Sequence, residues 1–435
     1  MKFEEAMDYL RNLTKFGMNF GLGRISELMR RLGNPQDKLQ IVHIGGTNGK
    51  GSTGAMIAAA LAAGGYRVGT FTSPHLHSYT ERYRINGEEI TGGDIANLIE
   101  RLRPHLETMV KEGFEHPTEF EVSTALAFCY FLEQQVDLLA LEVGLGGAID
   151  STNVINKPLV SVITNVAMDH MDYLGQTVTE IARVKVGIIK DRVPVVTASQ
   201  NPAVLKVIRK ACEQHKSPLV SVGQDVTWES VGDISLQGQR LNIKGRRAFH
   251  GNILIPLLGR HQLENTATAI AVLEILGDAG YQISGEAIRQ GLMLTRWPAR
   301  MEIVREKPMV LIDAAHNYEG AKSLRQALDD YFPTRQVVLV MGMLGDKERG
   351  RVVAELAPRA RMAVITKPNS PRAGDWQQLA EEIRPLVSEV RVVEEIKAAV
   401  TQGIEDAGSG DLVCITGSFY MVAEAREYLV SELKW

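Results

Sequence analysis

The hydrophobic positions of the chain fall into short β-branched runs that alternate with longer stretches of helical periodicity. In the clearest unit, we predict a strand at 39–44, a glycine-rich loop at 45–51, a helix at 52–63 and another strand at 66–70. The pair Gly64-Gly65 after this helix is typical of a helix C-terminus. The alternation predicts βαβ units and a mostly parallel sheet.

The same reasoning extends along the first two thirds of the chain. Strands are predicted at 137–142, 159–165 and 193–197, and helices at 117–133, 179–190, 202–215, 262–279 and 285–291. Between 219 and 258, short alternating runs are separated by Gly and Asp turns, which predicts a small antiparallel β region.

The strand–helix pattern restarts near residues 296–300, which read RWPAR. Predicted strands at 309–313, 337–341, 361–366, 389–393 and 412–416 alternate with helices and form a second open α/β sheet. We therefore predict an α/β protein with two domains. Residues 1–296 form a P-loop-type, mostly parallel sheet domain with the small β region, and residues 297–435 form a Rossmann-like domain. Ligands of such sheets bind beyond the carboxyl ends of the strands, so we expect the site in a cleft between the domains.

Composition narrows the class of protein. Of 435 residues, 45% are hydrophobic and 23% charged, and 48 Lys and Arg nearly balance 52 Asp and Glu, which argues against a nucleic-acid partner. The three cysteines lie far apart, which argues against a disulfide framework or a zinc site and fits a reducing compartment. The longest apolar run, 55–63, is shorter than the roughly 20 residues that span a bilayer, and the acidic N-terminus is not a signal peptide. We expect a cytoplasmic protein without a membrane partner.

The strongest motif is GGTNGKGST at residues 45–53, which follows an apolar strand and begins a helix. Glycines let backbone N–H groups approach phosphate oxygens, and a helix N-terminus adds a partial positive charge. The spacing differs from G-x-x-x-x-G-K-[ST] by an extra glycine after Lys50, and the plain alternative is a glycine-rich turn with an exposed lysine. We predict that this loop binds a nucleotide, with Lys50 at the β- and γ-phosphates, through Thr47, Asn48, Gly49, Lys50, Gly51 and Ser52.

Polar residues also follow other predicted strands of the first domain. Ser73 lies in the turn FTSPH, Glu142 ends an apolar strand, and His170 follows the strand at 159–165. Hydroxyl and carboxylate oxygens are the ligands that Mg²⁺ prefers. The plain alternatives are a turn residue, a solvated strand-end acid and a loop histidine.

Two further positions carry candidate chemistry. Lys185 lies among apolar neighbours, where burial would lower the pKa of the amine and make it nucleophilic. The sequence alone favours the plain alternative, a lysine that extends from the helix face to solvent. In the second domain, Asp313 and His316 follow a strand, where helix capping is the structural alternative.

Taken together, these segments resemble the folylpolyglutamate synthase family, including its bifunctional dihydrofolate synthase members, within the Mur ligase superfamily of ATP-dependent amide-bond-forming enzymes. The resemblance runs almost from end to end. It rests on GLGRI (21–25), GTNGKGS (46–52), FTSPHL (71–76), LEVGLGGAIDSTN (141–153), TNVAMDHMDYLG (164–175), KVGIIK (185–190), GRHQLENTATA (259–269), WPAR (297–300), DAAHN (313–317) and TGS (416–418).

The resemblance implies roles for individual residues. It implies that ATP binds at 46–52. The family's magnesium positions are matched by Ser73, Glu142 and His170, and Lys185 matches the lysine that takes up CO₂ as a carbamate. The positions that complete the nucleotide site are Asn265, Arg300, Asp313 and His316, and the implied catalytic residues are Lys50, Lys185 and His316. Segments 21–25 and 71–84 resemble the pterin and folate side.

The sequence also departs from the family pattern at a few positions. Val184 and Val186 flank Lys185 where the family often has an acid and an alanine, and Ala299 and Ala314 replace usual glycines. The charged groups stay in place, so the expected reaction is unchanged.

The implied partners are ATP, L-glutamate and a folate or dihydropteroate, and the expected state is a monomer. The γ-phosphoryl group of ATP converts a carboxylate into an acyl phosphate, which the amine of glutamate attacks. We expect the two domains to close over ATP. One alternative is a Mur-type ligase of UDP-sugar peptides, disfavoured by FTSPHL and by the short segment before residue 46. Another is a nucleotide-controlled binding module, which predicts slow ATP hydrolysis without glutamate-dependent phosphate release.

Overall fold

The computed structural model describes residues 1–17, 19–345 and 347–433. The chain forms two compact units, each made of three segments. The first consists of Met1–Glu229, Leu241–Ile253 and Glu264–Thr295, and the second of Ser230–Arg240, Leu254–Leu263 and Arg296–Trp435. The long segment of the second unit begins at Arg296, and two short segments that the sequence analysis included in the first domain belong to the second unit.

The main sheet of the first unit contains eight strands within the described residues, in the order β4-β3-β2-β5-β1-β6-β7-β8. These strands are β1 (Ile41–Gly45), β2 (Val68–Phe71), β3 (Tyr83–Ile85), β4 (Glu88–Glu89), β5 (Leu138–Glu142), β6 (Val160–Ile163), β7 (Val195–Thr197) and β8 (Leu219–Ser221). The neighbouring pairs β2–β5, β5–β1, β1–β6, β6–β7 and β7–β8 are parallel, whereas the pairs β2–β3 and β3–β4 are antiparallel. Every residue of β1 and β5 is buried, because both faces of a parallel sheet are covered.

Helices cover this sheet. They are α1 (Phe3–Leu13), α2 (Gly23–Arg31), α3 (Lys50–Ala63), α4 (Gly92–Lys111), α5 (Glu119–Glu133), α6 (Met171–Leu174), α7 (Val178–Lys185), α8 (Pro202–His215), α9 (Arg260–Asp278) and α10 (Gly285–Leu294). Small residues let α3 and α10 approach closely, since Gly291 lies against the backbone of Ala59 and Ala60 where a Cβ atom would collide. A core cluster that includes Leu10, Ile25 and Phe128 packs α1, α2 and α5 together.

The small β region contains β9 (Thr227–Ser235), β10 (Gly238–Lys244) and β11 (Phe249–Ile255), in the order β11-β10-β9. The connections between these strands are too short for parallel neighbours, so the predicted antiparallel arrangement follows. The second unit has a sheet in the order β12-β13-β17-β14-β15-β16. Its strands are β12 (Glu302–Glu306), β13 (Met309–Ile312), β14 (Val337–Met341), β15 (Ala360–Ile365), β16 (Glu389–Val392) and β17 (Leu412–Thr416).

The helices of the second unit alternate with these strands. They are α11 (Tyr318–Tyr331), α12 (Arg349–Leu356), α13 (Gln378–Ile383), α14 (Ile396–Glu405) and α15 (Phe419–Glu427). In this sheet the neighbouring pairs β13–β17, β17–β14, β14–β15 and β15–β16 are parallel, and the edge strand β12 pairs with β13 in the antiparallel direction. The predicted α/β fold class with two sheets is confirmed. No helix in the described part of the chain combines the length and apolar composition that crossing a bilayer requires.

Some predicted elements were wrong in detail. Residues 219–221 were placed in the small β region, but they form β8, which pairs in parallel with β7 at the edge of the main sheet. The helix predicted at 179–190 ends at Lys185, and a 3-10 turn follows at Val186–Ile188. Gly187 in this turn lies against Ala148, where a Cβ atom would collide. The hairpin of β3 and β4 and the helices α1, α2 and α4 were not predicted.

Candidate nucleotide and ligation site

The glycine-rich loop connects β1 to α3, as predicted. Gly46 and Gly49 have φ values of 139° and 86°, which favour glycine. A Cβ atom on Gly49 would lie 2.5 Å from Oδ1 of Asn265, and one on Gly46 would collide with Oγ1 of Thr164. A side chain at either position would therefore occupy the space between the loop and its neighbours Thr164 and Asn265. Asn265, a predicted nucleotide residue on α9, is 6% exposed and lies beside this loop.

Thr164 and Asn165, directly after β6, hold the loop in place and were not predicted as site residues. Asn165 accepts hydrogen bonds from the backbone N–H of Thr47 through its carbonyl (2.7 Å) and of Asn48 through Oδ1 (2.8 Å). Oγ1 of Thr164 donates to the carbonyl of Asn48 (2.7 Å). Their position directly after a strand that neighbours β1 was the available signal.

Lys50, the first residue of α3, folds back over the loop. Its Nζ donates to the carbonyls of Thr47 (3.1 Å) and Gly46 (3.3 Å) and lies 4.0 Å from Oε1 of Glu142. Glu142 ends β5, next to β1 in the sheet, and is 7% exposed. The ammonium group of Lys50 and this nearly buried carboxylate therefore lie at the same sheet edge.

Lys185, the last residue of α7, is 4% exposed, and its Nζ also donates to the carbonyl of Gly46 (2.8 Å). Burial, followed by the nearby charge of Lys50, lowers the pKa of Lys185 to about 7, against the opposing effect of Asp169 and Asp150. A large fraction of this amine is therefore neutral and nucleophilic near neutral pH. The interpretation that the sequence alone favoured, a Lys185 that extends into solvent, was wrong.

The three predicted magnesium residues follow strands of the main sheet. Ser73 lies just after β2 and precedes Pro74 through a cis peptide bond, Glu142 ends β5, and His170 precedes α6 with a φ of 50°. Within the described residues, no three His, Cys, Asp or Glu side chains converge as a protein-only metal site. Their joint role as ligands stays a prediction.

A charged cluster connects the segment 71–84, predicted as part of the folate side, with Glu119 on α5. Arg82 is 8% exposed and donates to Nδ1 of His75 (3.0 Å) and Oε1 of Glu119 (3.2 Å). Its guanidinium group lies 4.5 Å from the ring centre of Tyr79. Burial and the charge of Arg82 lower the pKa of His75 to about 4, so this imidazole is neutral at pH 7.

Predicted residues of the second unit surround the end of β13. Asp313 accepts hydrogen bonds from the backbone N–H of Met301 (2.9 Å) and Ala315 (2.9 Å), and burial raises its pKa. Nδ1 of His316 donates to the carbonyl of Ala314 (2.9 Å). The side chain of Asn317 caps α11, so helix capping does not account for Asp313 or His316.

Arg300 lies in the same unit and was also predicted as a nucleotide residue. Its Nη1 donates to the carbonyl of Ala299 (3.1 Å), and its guanidinium carbon lies 5.2 Å from the ring centre of Phe419. Its charge helps to lower the pKa of His261 to about 4, after the larger effect of burial.

A parallel sheet with a glycine-rich loop, and two lysines that donate to one carbonyl of that loop, are features of a known class of enzyme. The chain matches the Mur ligase middle domain family over residues 44–273 and the Mur ligase glutamate ligase domain family over residues 299–419. These matches identify an ATP-dependent ligase with the Mur ligase architecture.

Similar proteins identify the branch of that class. The chain is 38% identical to the dihydrofolate synthase/folylpolyglutamate synthase of Bacillus subtilis over 98% of this chain and 99% of that protein. It is similar to the folylpolyglutamate synthase of Mycobacterium tuberculosis complexed with ADP, with a TM-score of 0.92, 33% identity and full coverage of both chains. It is also similar to an Escherichia coli protein in complex with DHPP and ADP, with a TM-score of 0.88, 30% identity and 99% and 98% coverage. The chain belongs to the folylpolyglutamate synthase/dihydrofolate synthase family, which confirms the resemblance.

Proposed function

We propose that this ligase adds L-glutamate to reduced folates and also to dihydropteroate, at the expense of ATP. The observation that carries the proposal is the convergence of Lys50 and Lys185 on the carbonyl of Gly46, beside the nearly buried carboxylate of Glu142. The relatives are named for these two activities, and the segment 71–84 supplies the buried Arg82 on the side that resembles the folate site.

The residues of the loop provide the groups that phosphoryl transfer needs. The first amides of α3 have no acceptor within the helix and can donate to phosphate oxygens. The ammonium group of Lys50 stabilises the charge that develops on the transferred group. The acceptor carboxylate becomes an acyl phosphate, the amine of glutamate attacks the acyl carbon, and phosphate leaves. Asn165 and Thr164 keep the loop in a fixed shape before ATP binds.

Mg²⁺ fits the donor set at this sheet edge. A hydroxyl (Ser73), a carboxylate (Glu142) and an imidazole (His170) offer few protein ligands, which suits an ion that keeps waters and binds substrate phosphates. When bound, Mg²⁺ would neutralise phosphate charge during transfer.

Lys185 is proposed to take up CO₂ as a carbamate. The neutral form of an amine attacks CO₂, and burial beside Lys50 supplies that form near pH 7. The carbamate would place a negative charge next to Lys50, where an unmodified lysine adds a second positive charge.

For the remaining predicted residues, we propose nucleotide contacts by Asn265, Arg300 and Asp313 and a catalytic role for His316. Domain closure, a monomeric state and a cytoplasmic location stay predictions.

The test measures glutamate-dependent release of phosphate and formation of product with dihydropteroate, tetrahydrofolate and a UDP-sugar peptide in parallel. We expect turnover with the first two acceptors, and a Lys50→Ala variant should lose a hundredfold or more, on the order of the loss when one transition-state donor is removed. Lys38→Ala, which removes an exposed lysine, is the charge-matched control. Turnover with the UDP-sugar peptide alone, or undiminished ligation by Lys50→Ala, would refute the proposal.

A further inference from the structure

A buried histidine that the proposed mechanism does not use lies in the middle of the main sheet. His43 is on β1, has no exposed surface, and its Nε2 lies 2.9 Å from Oγ1 of Thr152. Oγ1 of Thr152 in turn donates to Oδ1 of Asp150 (2.5 Å). Thr152 is fully buried and Asp150 is 4% exposed, so the three side chains form a buried hydrogen-bonded chain.

The direction of these hydrogen bonds follows from the proton count with Asp150 ionised, although burial raises the pKa of this carboxyl. A hydroxyl carries one proton, and that of Thr152 is donated to Asp150, so Oγ1 of Thr152 must accept from Nε2–H of His43. Burial lowers the pKa of His43 to about 3, so the ring is neutral at pH 7 and carries its proton on Nε2.

Asp150, at the end of this chain, holds the turn that connects Glu142 with Lys185. Its Oδ2 accepts from the backbone N–H of Leu145 (2.7 Å), three residues after Glu142. The same turn reaches α7, because Ala148 donates to the carbonyl of Val184 (2.8 Å). A Cβ atom on Gly147 would lie 2.7 Å from the carbonyl oxygen of Lys185, so turn and helix are in direct contact.

We propose that His43 is a positioning residue for the ligation reaction: through Thr152 it orients Asp150, and thereby sets the turn 144–148 between Glu142 and Lys185. This inference rests on the proposed function for its catalytic consequence, although the hydrogen-bonded chain exists independently of it. An apolar side chain would fill a buried strand position without the desolvation that an imidazole requires. A polar group at this place therefore needs a reason beyond packing, and the hydrogen bond to Thr152 supplies it.

The test compares two amide substitutions at one position. The side-chain nitrogen of Gln lies near the place of Nε2, so His43→Gln can still donate to Thr152, whereas that of Asn lies near Nδ1 and cannot reach it. We expect His43→Asn to lower kcat about tenfold or more, in the range of other residues that orient a catalytic group, with little change in the KM for ATP. His43→Gln should restore most of kcat.

Hydrogen exchange supplies a readout that does not depend on turnover. In His43→Asn the amide of Leu145 should exchange faster, and in His43→Gln its exchange should be close to that of the original protein. Thr152→Val interrupts the same chain at its middle, and a double variant with His43→Asn should lose no more kcat than the stronger single variant.

Several results would overturn the inference. One is a kcat and a Leu145 exchange rate in His43→Asn that equal those of the original protein. Another is an equal loss of kcat in His43→Gln and His43→Asn, together with an equally lowered unfolding midpoint in both variants. Such a result would mean that His43 contributes through packing alone. If the original protein showed no glutamate-dependent turnover, the proposed function would fail, and with it the catalytic part of the inference, while the exchange rates would still decide whether His43 orients Asp150.

Discussion

Replacement of Gly49 by alanine tests whether the shape of the loop determines nucleotide binding. Gly49 has a φ of 86°, and an L-residue in the left-handed region loses about 1–2 kcal/mol. The new Cβ atom would lie 2.5 Å from Oδ1 of Asn265, where ordinary contacts begin at 3.4 Å, so the loop or Asn265 must move by about 0.9 Å. Asn265 is buried and has little room to move, so the loop itself should be displaced.

The chain offers a matched control for the backbone effect. Gly65, after α3, has a φ of 90° and nothing within 4 Å of its Cβ position. Gly65→Ala should lose about 1 kcal/mol of unfolding free energy, because the backbone penalty is partly offset by the lower entropy of the unfolded chain, and Gly49→Ala should lose at least as much because of its additional contact with Asn265. Only Gly49→Ala should weaken nucleotide binding, by tenfold or more, which corresponds to about 1.4 kcal/mol.

Titration calorimetry with ADP and with a non-hydrolysable ATP analogue measures the affinity, and urea unfolding measures the stability. If Gly49→Ala bound both nucleotides with the affinity of the original protein, the loop would not be the phosphate site. If Gly65→Ala weakened binding equally, the effect would come from general destabilisation.

Three further predictions test separate parts of the structure. Ala299→Gly should raise the unfolding free energy by up to about 1 kcal/mol, because Ala299 has a φ of 56°, whereas Ala314→Gly, without positive φ, should lower it by about 0.5–1 kcal/mol in the same urea titration. Lys185→Met should abolish ligation yet increase stability in CO₂-free buffer at pH 7. Because the folded-state pKa of Lys185 is about 7 against 10.5, the unfolded chain binds the additional proton between these values, so the gain should shrink as pH rises from 7 to 10.5. Arg349→Met should cost at least about 2 kcal/mol, since the buried guanidinium donates to four backbone carbonyls, and Arg351→Met, which removes an exposed ion pair, should cost less than about 1 kcal/mol.

The hydrophobic pattern of the chain was sufficient to predict the parallel central strands of both large sheets, because buried parallel strands are continuous apolar runs. The strands β1, β5 and β14 are of this kind. The hairpin of β3 and β4 escaped prediction since it has few residues and no buried position in β4. The end of α7 escaped it as well, because Gly187 is required by contact with Ala148, which is distant in sequence.

For the candidate site, motifs located residues but not their partners. The loop and Lys50 could be predicted from spacing, whereas the sequence alone favoured a solvent-exposed Lys185, and the structure shows it buried. That Lys50 and Lys185 share the carbonyl of Gly46 depends on how α7 packs beside β1, which no local pattern contains. The hydrogen-bonded chain from His43 to Asp150 connects residues 107 positions apart and was invisible for the same reason.

The shared carbonyl of Gly46 brings Lys50 next to Lys185. The pKa of Lys185 is lowered first by burial and then by the charge of Lys50, which favours the neutral amine. A neutral amine fixed beside a phosphate loop adds little to phosphate binding, so its presence there favours a role in which it is modified. CO₂ uptake would supply the missing negative charge opposite Lys50 and turn the repulsion between the two side chains into attraction.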